Sequence, residues 1–519
     1  MPPLTRCLRI VLTRFCLFFA LVAGLSGDVS GQAYRNGKFT LRAIDFDTRE
    51  PLAVRMHVKD QRGKTVKRPG MVYWHDHFVF DGEITLDMRP GLYTFEVERG
   101  PEYRVIQGNF QIGKDAEDTK TIEMRRFVSL SKQGWWSGDL HIHRPLQEIE
   151  LLMKAEDLHI GPVITWWNDQ NWWKDHEAPT DLLVKFDTNR FYHVMGGEDE
   201  REGGALLYFN RTRPLPIQNL AREYPSPAKF LKQADEEDGV HIDIEKPFWW
   251  DMPVWIASGR TDSIGLANNH LFRDGGLHNE AWGKPRDKVA YPGNQGNGRW
   301  SQNIYYHLLN CGLRIPPSAG SASGVLANPV GYNRVYVHCG SELTWDKWWQ
   351  GLRDGRVIVT NGPLLLPTVE GQLPGHVFTA GTDQQLALQI NLQLFLRDKV
   401  DYLEVVQDGK VVHEVRLDQY AKAGGKLPLL KFDRSGWFLV RAVTTHKPSY
   451  RFGTTGPYYV QIGDAPRISR TSAQFFVDWV YERARRIEVK DPEQRAEVLK
   501  YHRAARDFWE DLLSRANAE

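Results

Sequence analysis

Two histidines close a short apolar run, Trp135-Trp136-Ser137-Gly138-Asp139-Leu140-His141-Ile142-His143. On an extended strand alternate side chains share a face, so the imidazoles of His141 and His143 can meet one cation. Three further stretches bring similar chemistry to the ends of apolar runs. Glu198 lies in Gly196-Gly197-Glu198-Asp199-Glu200, directly after Tyr192-His193-Val194-Met195. His241, Asp243 and Glu245 alternate along one strand-like segment that ends at Lys246-Pro247. His270 closes Ala267-Asn268-Asn269-His270. Imidazole and carboxylate are ligands for zinc, manganese or iron, and such an ion polarises a substrate oxygen and acidifies water. The cofactor expected is therefore one or two divalent metal ions. His141, His143 and Glu198 would hold the metal, with His241 or His270 completing the shell. Lys246 would stabilise developing negative charge, and Asp139 would orient a ligand histidine. Singly, each residue has an ordinary structural explanation. Their recurrence at four strand ends is what points to a site.

These groups need a scaffold that gathers strand ends. From Gly134 to about Pro363, short apolar strands alternate with helix-like segments. Examples are Gln147 to Leu158, Pro162 to Thr165, a helix opened by Ser226-Pro227, and Gly239 to Ile244. This rhythm fits a β/α barrel, whose reactive groups collect at the C-terminal ends of its strands. The Gly-, Asn- and Pro-rich stretch from Gly275 to Trp300 reads as a long loop over the barrel mouth. Trp345, Trp348, Trp349 and Leu352 make an apolar helical stripe expected to be core. Before the barrel, Ile84, Leu86 and Met88, then Tyr93, Phe95 and Val97, alternate about Pro90-Gly91 and read as a hairpin. After it, Leu386 to Leu396 alternate as one long strand, and Asp408-Gly409 marks a hairpin. Asp491-Pro492-Glu493 opens a final helix. The expected fold is thus α/β, with a β/α barrel flanked by two β-sandwiches and a helical tail. The expected units are a signal peptide (1–33), a β-sandwich (34–130), the barrel (131–363), a second β-sandwich (364–465) and a helical segment (466–519).

With 519 residues and a net charge of +1, the chain carries no basic stripe that would suggest a nucleic-acid partner. Arg6, Arg9 and Arg14 precede an apolar run from Phe15 to Leu25 and a small-residue cleavage site. That pattern predicts a secreted or periplasmic protein with no membrane span once the signal is removed. Only Cys311 and Cys339 would remain, which disfavours a cysteine-based metal site. Tryptophan is abundant, with 18 in the chain. Trp166, Trp167, Trp172, Trp249 and Trp250 fall at or beyond predicted strand ends, where aromatic faces would suit a small-molecule or glycan substrate.

The segment Gly138-Asp139-Leu140-His141-Ile142-His143 resembles the first motif of the polymerase-and-histidinol-phosphatase (PHP) superfamily. It is similar above all to the secreted branch named after carbaryl hydrolases, the CehA/McbA family. The resemblance spans about 134 to 363 and includes Glu198, Glu245-Lys246-Pro247 and Pro317 to Gly324. It implies a distorted seven-stranded β/α barrel and metal-dependent hydrolysis of an ester, phosphoester or carbamate bond. The chain departs from the family at Thr165-Trp166-Trp167-Asn168, where a Thr-Asp-His segment is usual. It departs again at Ala322-Ser323-Gly324, where Asp-Ser-His is usual, and at Lys246-Pro247 in place of His-Pro. A three-metal site is therefore not expected. The alternatives are a degenerate, non-catalytic barrel that binds glycans through a Trp-rich mouth, and a structural surface protein.

Overall fold

A computed structural model describes residues 36–519. The signal segment expected over 1–33 lies outside the described residues. The chain is mixed α/β and rich in strands, which assemble into several sheets with a few helices. Among the described residues no helix is long and apolar enough to cross a membrane.

The N-terminal part consists of two sheets. Gly37–Asp45 pairs antiparallel with Glu83–Met88 and parallel with Glu117–Met124. The other sheet orders Val72–Trp74, His77–Asp81, Ala53–Asp60, Gly91–Glu98 and Ile106–Ile112. Phe39, Leu41, Met56, Phe78, Leu86 and Phe95 fill one core. The segments about Pro90-Gly91 do not form the expected hairpin. Glu83–Met88 and Gly91–Glu98 belong to different sheets, so the turn carries the chain from one layer to the other. Alternation marks a half-buried strand and leaves its partner unspecified.

The central strands belong to a closed sheet. Ile160–Trp167 runs parallel to Phe191–Arg201 and meets Gly138 through one parallel bridge. Gly204–Phe209 lies antiparallel between Phe191–Arg201 and His241–Ile244. His241–Ile244, Ser263–Ala267 and Pro317–Ala319 then follow in parallel. Past Gly138 the chain stays wedged in this sheet. Leu140 N donates to Ala319 O (3.0 Å), His143 N to Ser323 O (2.8 Å), and Ile164 N to Ile142 O (2.8 Å). The segment bearing both histidines is thus fixed from both sides. Helices cover the outside with their apolar stripes. Ile149–Ala155 buries Ile149, Leu152 and Met153, and Ala228–Asp235 buries Phe230, Leu231 and Ala234. Trp345–Arg353 buries the tryptophan stripe that the sequence assigns to core.

In the C-terminal part, Val400–Gln407 and Lys410–Arg416 form the hairpin expected at Asp408-Gly409. Both turn residues take positive φ, 49° and 83°, as a two-residue turn of this kind requires. The long strand expected from Leu386 to Leu396 is broken at Gln389. Leu386–Leu388 pairs with Leu430–Phe432, whereas Ile390–Phe395 pairs with Leu364–Val369. Two helices, Arg470–Arg485 and Pro492–Ser514, close the chain, the second capped by Asp491, which accepts from Gln494 N (2.8 Å). Cys311 and Cys339 are both free.

Candidate metal centre

His141 and His143 reach the same point as Glu198. The two Nε2 atoms are 2.9 Å apart, and Glu198 Oε2 lies 3.3 Å from His141 Nε2 and 3.1 Å from His143 Nε2. His141 and Glu198 are buried, and the His143 side chain is nearly so. Two glycines let the backbone come this close. A Cβ on Gly320 would collide with the His141 side chain, and one on Gly324, at φ 103°, would strike the His143 backbone. The 320–324 loop therefore cradles the His-x-His segment. Asp139 anchors the same loop. Its Oδ1 accepts from His141 N and Ser321 N, each at 2.9 Å, and its Oδ2 accepts from Ser321 Oγ (2.5 Å) and Gly331 N (2.7 Å). Asp139 thus acts on His141 through its backbone N–H.

Behind His141 stands Glu245. Its Oε1 lies 3.4 Å from His141 Nδ1, and its Oε2 accepts from Trp249 Nε1 (2.8 Å) and pairs with Lys246 Nζ. A carboxylate at one ring nitrogen fixes the tautomer and turns the other nitrogen's lone pair toward a ligand. Lys246 is buried, paired to Glu245, and rests 4.5 Å from the centroid of the Trp249 ring. The ammonium therefore compensates Glu245 instead of facing open space.

The charges reinforce one another. Burial pushes the Glu198 carboxyl up, but His141 and His143 outweigh it and hold the group well below the ordinary carboxylate range. Burial would lower His141, yet Glu198 and Glu245 push it up to about 10. His143 moves down through burial and the neighbouring His141 charge. Without a cation, a proton must sit among these three ligand atoms. A divalent ion fits in its stead. Tetrahedral zinc with bonds of about 2.0–2.1 Å to nitrogen sets ligand atoms roughly 3.3 Å apart, near the separations found here. Three protein ligands is also the number typical of catalytic zinc, which keeps one position open.

The other expected ligands lie elsewhere. His241 shares a strand face with Glu245 but stands four residues away, about 13 Å along an extended strand. Its Nε2 pairs with Ser263 Oγ (2.7 Å), and its ring packs against Trp349. Between them Asp243 accepts from the hydroxyls of Ser263 and Ser318, and burial pushes it up to about 7. His270 packs against Phe248, and burial together with the Lys246 charge lowers it to about 3. No hydrogen bond, ion pair or ring stacking joins it to the three ligand residues.

The tryptophans divide as well. Trp166, Trp249 and Trp250 are core residues, not a mouth. Trp166 packs on Tyr208, Trp249 on Trp282, and Trp250 against Trp479 of the C-terminal helices. Trp172 is exposed and stacks on His176. Trp167 packs beside a ligand imidazole, with its ring 5.1 Å from that of His143. Its Nε1 donates to Glu200 Oε2 (3.1 Å). The sequence places Glu200 and Glu245 in two of the candidate stretches but names neither as a ligand or catalytic group. Both were marked by alternation, since Glu200 is two residues from Glu198 and Glu245 is the last residue on the His241–Asp243 face. Burial and the Glu198 charge raise the Glu200 carboxyl.

No family model matches the chain, and no curated protein matches it. Three solved structures show slight likeness. The Bacillus anthracis TIE protein has 18% identity over 21% of this chain and 19% of its own, with a TM-score of 0.15. The N-terminal four Ig domains of Dscam1 isoform 8.4 have 7% identity over 82% of this chain and 73% of their own, with a TM-score of 0.14. Bacteroides uniformis beta-glucuronidase has 11% identity over 82% of this chain and 59% of its own, with a TM-score of 0.13. The chain thus spans about a fifth of the length of the first. Likeness this slight carries no argument about fold or activity.

Proposed function

We propose that this chain is a secreted metal-dependent hydrolase of the PHP type, similar to the CehA/McbA branch, acting on an ester, phosphoester or carbamate bond. The observation that carries the reading is the convergence of His141 Nε2, His143 Nε2 and Glu198 Oε2 within 3.3 Å, backed by Glu245 on the far nitrogen of His141. The parallel strands and the closure of Leu140–His143 onto Ala319–Ser323 support a barrel of that type. The site is read as holding one divalent ion. Trp166 and Trp167 stand where further family ligands would be, and Lys246 stands where a histidine would be.

When bound, the ion would supply Lewis acidity toward a carbonyl or phosphoryl oxygen and acidify water. The protein's own groups divide the remaining work. His141, His143 and Glu198 would hold the ion. With an ion bound, Glu245, 3.4 Å from Nδ1, would favour the His141 tautomer whose Nε2 lone pair faces the centre. Lys246 balances the Glu245 charge, so that the buried carboxylates do not repel one another. Glu200 accepts from Trp167 Nε1, the indole beside His143, and so fixes that ring against the centre.

The reading is tested by screening p-nitrophenyl esters, phosphate mono- and diesters and aryl carbamates with zinc-, manganese- and iron-loaded protein. Turnover of one class by the parent, absent from the His141→Ala/His143→Ala variant, is the expected result. Equal rates in both proteins, or no turnover with any of the metals, would contradict it.

A further inference from the structure

A second cleft lies where the N-terminal sheets, the central strands and the C-terminal sheets meet. Its volume is about 670 Å³, within the roughly 300–1,000 Å³ usual for small-ligand sites. Three nitrogens in its lining are buried without a hydrogen-bond partner: His57 Nδ1, His446 Nε2 and Arg451 Nε. They come from two separate parts of the fold. His57 is only 5% exposed. Its Nδ1 is 3.2 Å from Asp76 Oδ2 but too poorly aligned to bond to it. Buried polar groups are ordinarily satisfied, so orphans that share one cavity point to an occupant with hydrogen-bonding atoms.

The chemistry of that occupant can be narrowed. The His57–Asp76–His77 and His57–Glu96–Glu98 groups have the spacing of metal ligands, but His57 is unsuited to the task. Arg55 Nη1 lies 2.6 Å from His57 Nε2, and a guanidinium can only donate. The Nε2 lone pair is therefore taken, and the ring proton sits on Nδ1. Four cationic side chains, Lys59, Arg273, Arg397 and Arg451, also line the cleft. An anion is no better suited, because Asp76, Glu96, Glu98, Asp274 and Asp398 face the same space. Most of these charges are already paired. Arg273 bridges Glu96 and Glu98, Arg397 reaches Glu98 (3.3 Å), and Arg451 holds Asp398 (3.0 Å). What the lining lacks is a neutral group that can accept from the orphan nitrogens and donate to carboxylate oxygens. A hydroxyl does both. Phe95 and Tyr332 add aromatic surface for a C–H face.

We propose that this junction cleft is a binding site for a neutral polyhydroxylated ligand, a sugar unit of an oligosaccharide. It is separate from the His141 centre and does not depend on that centre's reading. Sugar hydroxyls occupy the positions facing His57 Nδ1, His446 Nε2 and Arg451 Nε, and the paired carboxylates accept from the same hydroxyls.

Saturation-transfer NMR on the mature protein tests this, with maltotriose, cellotriose, xylotriose and chitotriose as neutral probes. Glucuronate, inorganic phosphate and zinc serve as charged probes. Thr94→Trp places a large ring in the cleft from an exposed position, and His446→Ala removes one orphan nitrogen. Saturable binding of at least one neutral trisaccharide is expected. Thr94→Trp should abolish it, and His446→Ala should weaken it by about fivefold, the loss of one hydrogen bond. Circular dichroism of both variants should match the parent. Failure of every neutral sugar, binding of charged probes alone, or sugar binding that survives Thr94→Trp would each overturn the proposal.

Discussion

Two clusters in this molecule look alike in composition and differ in what they can bind. His141, His143 and Glu198 form one, and His57, Asp76 and His77 form the other. Each joins two histidines to a carboxylate, and each lies close to Arg, Lys or Glu side chains. The difference is the group behind the leading imidazole. Glu245 stands behind His141 with its Oε1 3.4 Å from Nδ1, so the carboxylate charge faces that nitrogen and Nε2 is the one turned to the centre. Arg55 stands behind His57 and occupies its Nε2, which leaves a proton on Nδ1. A histidine cluster thus becomes a metal site or a hydrogen-bonding wall according to whether its second partner is an acceptor or a donor.

The largest effect expected from this contrast is on metal content. His141→Ala/His143→Ala should remove bound metal entirely, whereas His57→Ala/His77→Ala should leave it unchanged, as atomic emission would read. Next is the acceptor itself. Glu245→Gln retains the shape but loses the charge behind His141. Metal affinity should fall by about 10–100-fold, the usual cost of an outer-shell carboxylate, measured by competition with a chromophoric chelator. The donor side is tested through stability. Arg55 is buried with Glu156 at 2.5 Å and Glu98 at 3.2 Å. Arg55→Met should cost about 3–5 kcal/mol in urea unfolding, because both carboxylates lose their partner.

These contrasts also show how far the sequence could be read. The His-x-His motif and Glu198 were legible because a strand period of two puts their groups at one end of a sheet. Glu245 and His241 sit on that same face, and the sequence alone favoured the histidine as a ligand. Its error was one of distance, since a face of alternating residues runs the full length of a strand and only its last member reaches the mouth. The tryptophans failed for a different reason. A position just past a strand end is compatible with an open rim or with a covered core. The C-terminal helices that bury Trp250 are more than 200 residues away in the chain. The Arg55–His57 contact was invisible for a simpler reason. Neighbours two apart on a strand share a face, but no pattern reveals which ring nitrogen the guanidinium meets. The crossover at Pro90-Gly91 likewise followed from sheet partnering that local alternation does not encode.

A smaller effect concerns pH. Burial pushes Glu98 up, but Arg55 and Arg397 outweigh it and hold its carboxyl below the ordinary glutamate range. The folded state therefore binds fewer protons there than the unfolded chain. The stability this contributes is complete above the ordinary glutamate range and is lost as pH falls through the lower folded value. Glu98→Gln should lower stability at neutral pH and flatten its fall in acid, as thermal melts at stepped pH would record. The smallest effect expected is that of Trp249→Phe. It removes one donor to Glu245 and should reduce metal affinity by less than Glu245→Gln does, about tenfold or below.

The most direct test of the contrast is metal stoichiometry in tag-free protein, measured by inductively coupled plasma mass spectrometry in three proteins side by side. One divalent ion per chain is predicted in the parent and in His57→Ala/His77→Ala, and none in His141→Ala/His143→Ala. No ion in the parent after incubation with zinc, manganese or iron, or an ion that is lost with His57 and His77 instead, would contradict the account.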